Sequence, residues 1–213
     1  MSKIFLIPGL GADHRIYQHI NLQGHEVVNV EWLEPETTDN LAYYAQKLID
    51  YYQIPAQSIV IGNSLGGMIA IEIAKKIELD KVILISSIKT ADEAPSYFRF
   101  FRISKLHHLI PQKKITSLEF LIEYAFGGMS EEDQQLFKSM LRNTSPTFMQ
   151  WALDAILKWD NHIIPKNVYH ITGDKDRVFP YQRIKGAVIV KGGTHIMIFD
   201  KSKEINTWLK NIL

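Results

Sequence analysis

SIVIGNSLGGMIAIEIAKKI, residues 58–77, is the stretch of sequence that decides the predicted fold. β-Branched residues typical of a buried strand lead into a turn in which Ser64 stands between Gly62 and Gly66. A helical pattern follows directly, as expected of a helix packed deep against a sheet, and it is apolar except for a narrow polar stripe: Glu72, Lys75 and Lys76. A serine between two glycines at this junction indicates either a flexible turn or a nucleophile held on a tight corner.

The rest of the chain alternates between strand and helix patterns, which predicts an α/β fold around a mostly parallel sheet. Five further strand-like runs give a central sheet of about six strands, flanked by helices: 3–9, 25–32, 81–87, 167–173 and 186–193. One flanking helix is expected at about 39–52, with Thr38 or Asp39 as its N-cap.

The region between the fourth and fifth predicted strands has a different pattern. From about residue 89 to residue 161 no strand is evident, and Ser130 and Ser145 are each placed to cap the start of a helix. We therefore predict a helical cap insertion at 91–164 and a core made of 1–90 and 165–213.

Length and composition limit the possible functions. The 213 residues suit one domain, and 46% hydrophobic and 22% charged residues are ordinary for a globular protein. A net charge of +1 predicts neither nucleic acid nor a membrane surface as a partner. The absence of cysteine excludes disulfides, thiolate metal sites and a cysteine nucleophile. The first apolar run is short for a signal peptide, so a cytoplasmic protein is expected.

Residues 62–66, Gly-Asn-Ser-Leu-Gly, follow the pattern G-x-S-x-G. This string arises by chance in roughly one chain in ten or twenty of this length, so its place between a buried strand and a buried helix carries more weight. A strand that reverses into a helix so abruptly brings the flanking backbone too close for a Cβ, which explains both glycines. The serine is left at the carboxyl end of the sheet, where open α/β folds bind ligands.

A serine hydroxyl becomes a nucleophile only beside a base, and the base needs an acid that orients it. Of the eight histidines, only His195, in KGGTHIMIF, comes just after the last predicted strand. The segment after the penultimate strand, ITGDKDRVFP, offers Asp174 and Asp176 as acids, and Asp92 is a more distant alternative. The N–H of Leu65 begins the helix, where the helix dipole stabilises developing negative charge.

These segments together resemble the α/β-hydrolase superfamily, specifically its small single-domain members with a helical cap. The resemblance is carried by the elbow at 62–66, by GDKDRVFP and GGTHIMIF, and by IPGLGADHRIY near the start. It implies that Asp176, the third residue after Gly173, is the acid, and that the N–H groups of Leu10 and Leu65 form the oxyanion hole. It also implies a fold that lacks the family's first hairpin, with a proline replacing the histidine that often precedes the first-loop glycine.

The resemblance implies hydrolysis of a small-molecule acyl substrate through an acyl-enzyme, with Ser64, His195 and Asp176 as the catalytic triad and with no cofactor or metal. Two other functions stay open: lyase or C–C cleavage chemistry on the same triad, and ligand binding without turnover. The pair His107-His108 is not expected to bind a metal, because no Asp, Glu or Cys lies at ligand spacing. Substrate identity, acyl chain length and oligomeric state are left open by the sequence.

Other side chains could also border the site. His14 is expected in a solvated loop, and Trp32 is expected either to border the site or to pack in the core. Most aromatic residues of the insertion are expected in its own core: Tyr97, Phe98, Phe100, Phe101, Trp151 and Trp159.

Overall fold

The structure, a computed structural model, describes residues 3–104 and 129–213 of the chain. Its six strands form one sheet: β1 (Lys3–Ile7), β2 (Glu26–Asn29), β3 (Ile59–Asn63), β4 (Lys81–Ile85), β5 (Val168–Gly173) and β6 (Val188–Val190). Neighbouring strands are all parallel, in the order β2-β1-β3-β4-β5-β6. The predicted α/β fold with about six strands is therefore confirmed for the described residues, and their sheet is entirely rather than mostly parallel.

The described residues form seven α-helices: α1 (Leu41–Tyr52), α2 (Leu65–Ala74), α3 (Ser96–Ser104), α4 (Glu131–Asn143), α5 (Pro146–Lys158), α6 (Met197–Asp200) and α7 (Ser202–Lys210). The predicted caps of α4 and α5 are confirmed, because Ser130 and Ser145 each accept a hydrogen bond from an amide three residues on. The predicted cap of α1 is wrong by one residue: Asn40 Oδ1 accepts the Tyr43 amide at 2.9 Å. Asparagine and aspartate cap equally well, so the sequence does not separate adjacent candidates.

Helix α2 packs deep in the molecule, and nine of its ten residues are buried. Its polar stripe differs from the prediction, because Glu72 is only 2% exposed. Glu72 Oε1 accepts hydrogen bonds from the Trp159 indole N–H at 2.7 Å and from Lys75 Nζ at 3.0 Å. These donors satisfy Oε1, and Lys75 Nζ also lies 3.0 Å from Oε2, which accepts no hydrogen bond within the described residues. The Trp159 hydrogen bond holds the residue that follows α5 on α2.

The three helices between β4 and β5 belong to the region predicted as the insertion, and its described part contains no strand. Helix α5 packs on α1, where the centroids of the Trp151 and Tyr44 rings lie 4.4 Å apart. The Trp151 indole N–H also donates to the Asp39 carbonyl at 2.7 Å. The division into a core and a cap insertion stays a prediction.

The aromatic residues of this region do not share one environment. Trp151 and Trp159 are buried, but they pack in one cluster with Phe5 of β1 and Tyr44 of α1. Tyr97, Phe100 and Phe101 are at least 37% exposed. The His107-His108 pair lies outside the described residues.

Candidate active site

Ser64 connects the end of β3 to the start of α2 in a backbone conformation that residues other than glycine rarely adopt (φ +50°, ψ −115°). Its amide N–H donates to the Ile85 carbonyl at 3.0 Å, and its own carbonyl accepts the Ser87 hydroxyl at 2.7 Å. The neighbouring strand β4 and the residues after it therefore hold the corner in place. Backbone strain that surrounding contacts maintain is concentrated at functional sites, which favours the nucleophile over the flexible turn.

The two glycines of the corner leave no space for a side chain. A Cβ on Gly62 would lie 2.3 Å from the Gly66 carbonyl oxygen, which confirms the expected close approach of these positions. A Cβ on Gly66 would instead meet β1 and the loop after it, at 2.1 Å from the Ile7 oxygen and 2.5 Å from the Pro8 oxygen. Gly66 is therefore required by the neighbouring strand, which the sequence argument did not anticipate.

Three predicted side chains meet above this corner. Ser64 Oγ lies 2.9 Å from His195 Nε2, and His195 Nδ1 lies 2.9 Å from Asp176 Oδ2. The Asp176 side chain is fully buried and that of His195 is 10% exposed. A proton on Nδ1, donated to the carboxylate, leaves Nε2 free to accept the serine proton.

The Asp176 carboxylate is also held through its other oxygen, Oδ1. Asp176 Oδ1 accepts the backbone N–H groups of Val178 and Phe179, both at 2.8 Å. Hydrogen bonds from backbone amides stabilise the ionised form of a buried carboxyl group. The orientation of Oδ2 toward the imidazole is therefore set by the turn that follows.

The two alternative acids lie elsewhere. Asp174 Oδ1 accepts the Gly192 amide at 2.6 Å, so this side chain ties the loop after β5 to the loop after β6. Asp92 is exposed and pairs with His162 at 2.9 Å. Of the three carboxylates, only Asp176 is hydrogen-bonded to His195.

The two predicted oxyanion-hole amides belong to two segments that meet at Ser64. Leu65 is the first residue of α2, and Leu10 follows Gly9, whose missing Cβ would lie 3.4 Å from Ser64 Cβ. Within residues 3–104 and 129–213, neither amide donates a hydrogen bond. Their role as an oxyanion hole stays a prediction.

Several contacts around the triad were not found from the sequence. The Phe179 ring packs edge-on against the His195 imidazole with centroids 5.3 Å apart. Phe179 also packs edge-on against Phe98 of α3, with ring centroids 6.0 Å apart, and the Tyr97 hydroxyl donates to the Val178 carbonyl at 2.8 Å. Helix α3 therefore braces the turn that supplies both amides to Asp176.

The remaining predicted bordering residues have packing or surface roles. His14 is exposed and pairs with Glu31. The Trp32 ring packs 4.8 Å from Phe148, and its indole N–H donates to the Ala12 carbonyl at 3.0 Å.

No cluster of three or more His, Cys, Asp or Glu side chains suited to a metal occurs among the residues that the structure describes. Within the same residues, no helix combines the length and apolar character needed to cross a lipid bilayer.

Comparison of the sequence with known families gives a match to the alpha/beta hydrolase family over residues 4–208. The chain belongs to this family, which confirms the resemblance predicted from its motifs. A search of curated proteins found no match.

Solved structures provide an independent comparison. An esterase from Exiguobacterium antarcticum is 16% identical with a TM-score of 0.78, and the match covers 100% of this chain and 91% of the esterase. A carboxylesterase from the thaumarchaeon Nitrososphaera gargenis is 17% identical with a TM-score of 0.73, covering 99% and 89% of the two chains. A mutant epoxide hydrolase from Bacillus megaterium is 12% identical with a TM-score of 0.73, covering 99% and 93%. At these identities the likeness shows the shared fold alone.

Proposed function

We propose that the protein is a serine hydrolase of the carboxylesterase type, which cleaves a small-molecule ester with Ser64 as nucleophile. The observation that carries this proposal is the continuous hydrogen-bonded series from Ser64 Oγ through His195 to the buried Asp176. The esterase and carboxylesterase among the structures of similar fold support an ester as the substrate class.

In the proposed acylation step, His195 Nε2 takes the hydroxyl proton as Ser64 Oγ attacks the ester carbonyl. Asp176 stabilises the imidazolium that forms and keeps its Nδ1–H in place. The negative charge on the carbonyl oxygen is stabilised by the amides of Leu65 and Leu10. Removal of one such donor costs about 3 kcal/mol, on the order of a hundredfold in rate.

The tetrahedral adduct then collapses. The C–O bond to the alcohol breaks, His195 returns its proton to the leaving oxygen, and the acyl group stays on Ser64 Oγ. Water, deprotonated by the same imidazole, attacks the acyl carbonyl and releases the carboxylic acid with the serine restored.

A panel of p-nitrophenyl esters of graded chain length, combined with labelling by a fluorophosphonate, tests the proposal. Wild-type protein should hydrolyse at least one ester and become labelled, whereas Ser64→Ala should do neither. Ser202→Ala, at the start of α7, is the matched control and should behave as wild type. Labelling that persists in Ser64→Ala would show that Ser64 is not the nucleophile.

The same experiment separates the proposal from the two other functions. Wild-type protein that neither turns over esters nor reacts with the probe would contradict ester hydrolysis and favour lyase or C–C cleavage chemistry. A Ser64→Ala variant that keeps full biological activity would favour ligand binding without turnover.

A further inference from the structure

A cavity of about 330 Å³ lies at the surface formed by α3 and the end of α5. It is lined by the segment that leads from the turn at Ala91–Glu93 into α3, by the end of α5 with the residues after it, and by Arg183. None of the triad or predicted oxyanion-hole residues lines it. Its volume is at the lower end of the range of small-molecule sites, about 300–1,000 Å³.

Three arginines line the cavity: Arg99, Arg102 and Arg183. In the part of the chain that the structure describes, none of them forms an ion pair with a carboxylate. Arg183 is held in place, because its Nη1 donates to the Ala94 carbonyl at 2.7 Å. A guanidinium has five N–H donors, so the others are available to a ligand.

The two carboxylates that line the cavity share one histidine. His162 Nδ1 lies 2.9 Å from Asp92 Oδ2, and its Nε2 lies 3.2 Å from Asp160 Oδ1. These hydrogen bonds, to Asp92 first and then to Asp160, raise the pKa of His162 and so favour its cation. The cavity carries a net positive charge whether or not His162 is protonated.

The cavity also has an apolar lining. Phe98, Leu157, Pro95 and Trp159 contribute to it. The Trp159 indole N–H already donates to Glu72 inside the protein, so that donor is not available to a ligand. Aromatic and aliphatic surface beside unpaired guanidinium groups fits a molecule that has an anionic head and an apolar body.

We propose that this cavity binds a small organic anion, whose carboxylate or phosphate group is held by Arg99, Arg102 and Arg183 while its apolar body packs on Phe98 and Trp159. Guanidinium groups recognise both kinds of head group through paired N–H···O hydrogen bonds. The inference does not depend on the proposed ester hydrolysis, because its test measures binding and not turnover.

NMR titration of the full chain tests the inference with benzoate, phenyl phosphate, inorganic phosphate and the neutral benzyl alcohol. The reporter is the indole N–H signal of Trp159, assigned by its loss in Trp159→Phe. Both aromatic anions should shift this signal saturably with a Kd in the millimolar range or below. Inorganic phosphate should bind more weakly and benzyl alcohol should cause no shift. The tighter of the two aromatic anions identifies the preferred head group.

Matched variants locate the site. Arg99→Gln/Arg102→Gln should weaken binding by at least about tenfold, and adding Arg183→Gln should abolish it. The control is Arg142→Gln, in which an exposed arginine that donates to a carbonyl of its own helix is replaced, and binding should be unchanged. Ser64→Ala should also bind as wild type.

Three results would overturn the inference. The first is no saturable shift in the wild type into the millimolar range. The second is equal binding by the double variant, whose arginines make no structural hydrogen bond in the described residues and whose folding is checked by circular dichroism. The third is loss of binding in Ser64→Ala, which would place the probe in the candidate active site.

Discussion

Replacement of Asp176 by asparagine tests the triad sharply, because the structure dictates how the new side chain lies. The Oδ1 position receives two backbone N–H groups at 2.8 Å, and the Oδ2 position faces His195 Nδ1 at 2.9 Å. Asparagine has one carbonyl oxygen and one NH₂ group. With the NH₂ group at the Oδ1 position, four donors would face one another and two buried amides would lose their acceptor, at a cost of about 1–3 kcal/mol each. The oxygen therefore takes the Oδ1 position.

In that orientation the asparagine NH₂ group donates to His195 Nδ1. The imidazole proton then resides on Nε2, which presents N–H to the Ser64 hydroxyl and cannot accept its proton. The base is lost although every heavy atom keeps its place. We expect kcat/KM for an ester to fall by about 10⁴, or about 5 kcal/mol of transition-state stabilisation.

The assay compares ester kinetics and thermal unfolding of Asp176→Asn and Asp174→Asn. The second variant keeps the oxygen that accepts the Gly192 amide, so its kcat/KM should change by less than about threefold. Retention of more than about a tenth of the activity in a folded Asp176→Asn would refute the tautomer argument. A larger loss in Asp174→Asn would assign the acid to the other aspartate.

Gly66→Ala should lower stability by about 2–3 kcal/mol or more, seen as a lower Tm, because its Cβ would lie 2.1 Å from the Ile7 oxygen. Tyr97→Phe should lower kcat/KM about three- to tenfold, measured with the same esters, because the turn braced through the Val178 carbonyl loosens. Burial lowers the pKa of His170 to about 3, whereas a free histidine titrates near pH 6.5. Between these two pKa values, the unfolded chain binds a proton on His170 that the folded chain does not bind. The free energy of unfolding contributed by the neutral, buried His170 is fully present above about pH 6.5. It should fall by about 1.4 kcal/mol per pH unit as the pH is lowered toward 3, as measured by urea unfolding. His170→Gln should remove this slope between about pH 6.5 and pH 5, above the range in which Asp13 and Asp133, whose pKa values are lowered in the folded chain, also lose stability on acidification.

Each of these predictions has a matched control. The control for Gly66→Ala is Gly24→Ala. At Gly24 φ is +89° and a Cβ would meet no atom within 4 Å, so backbone strain alone costs about 1 kcal/mol. An equal loss in both variants would contradict the steric argument. The control for Tyr97→Phe is Tyr43→Phe, because Tyr43 is 68% exposed. Equal losses of kcat/KM in the two variants would show that the hydrogen bond from Tyr97 to the Val178 carbonyl is not the cause. For the histidine it is the exposed His14→Gln, which should keep the wild-type slope; a slope that survives His170→Gln would mean that another group titrates.

The number of strands could be predicted because each strand has its own run of apolar residues, whereas their order in the sheet was seen only in the structure. The residues at which the strands begin and end were harder to predict, as β6 shows. A run at 186–193 was expected, whereas β6 covers only Val188–Val190. Its ladder is set by the partner strand, since these residues pair with Ile171, Thr172 and Gly173 at the end of β5. Pairing length at a sheet edge depends on the neighbour and is not encoded in the run itself.

The same distinction between local and tertiary information applies to the site. Ser64 and His195 could be proposed from the sequence because each comes within a few residues of a strand end, and parallel strands bring those ends to one edge. Asp174 and Asp176 satisfy that condition equally. Their different environments arise from tertiary hydrogen bonds, to the Gly192 amide for one and to the imidazole for the other. Family resemblance could therefore select Asp176, but only the folded turn supplies the physical reason, and Tyr97 on α3 helps to hold that turn although it precedes it by about eighty residues.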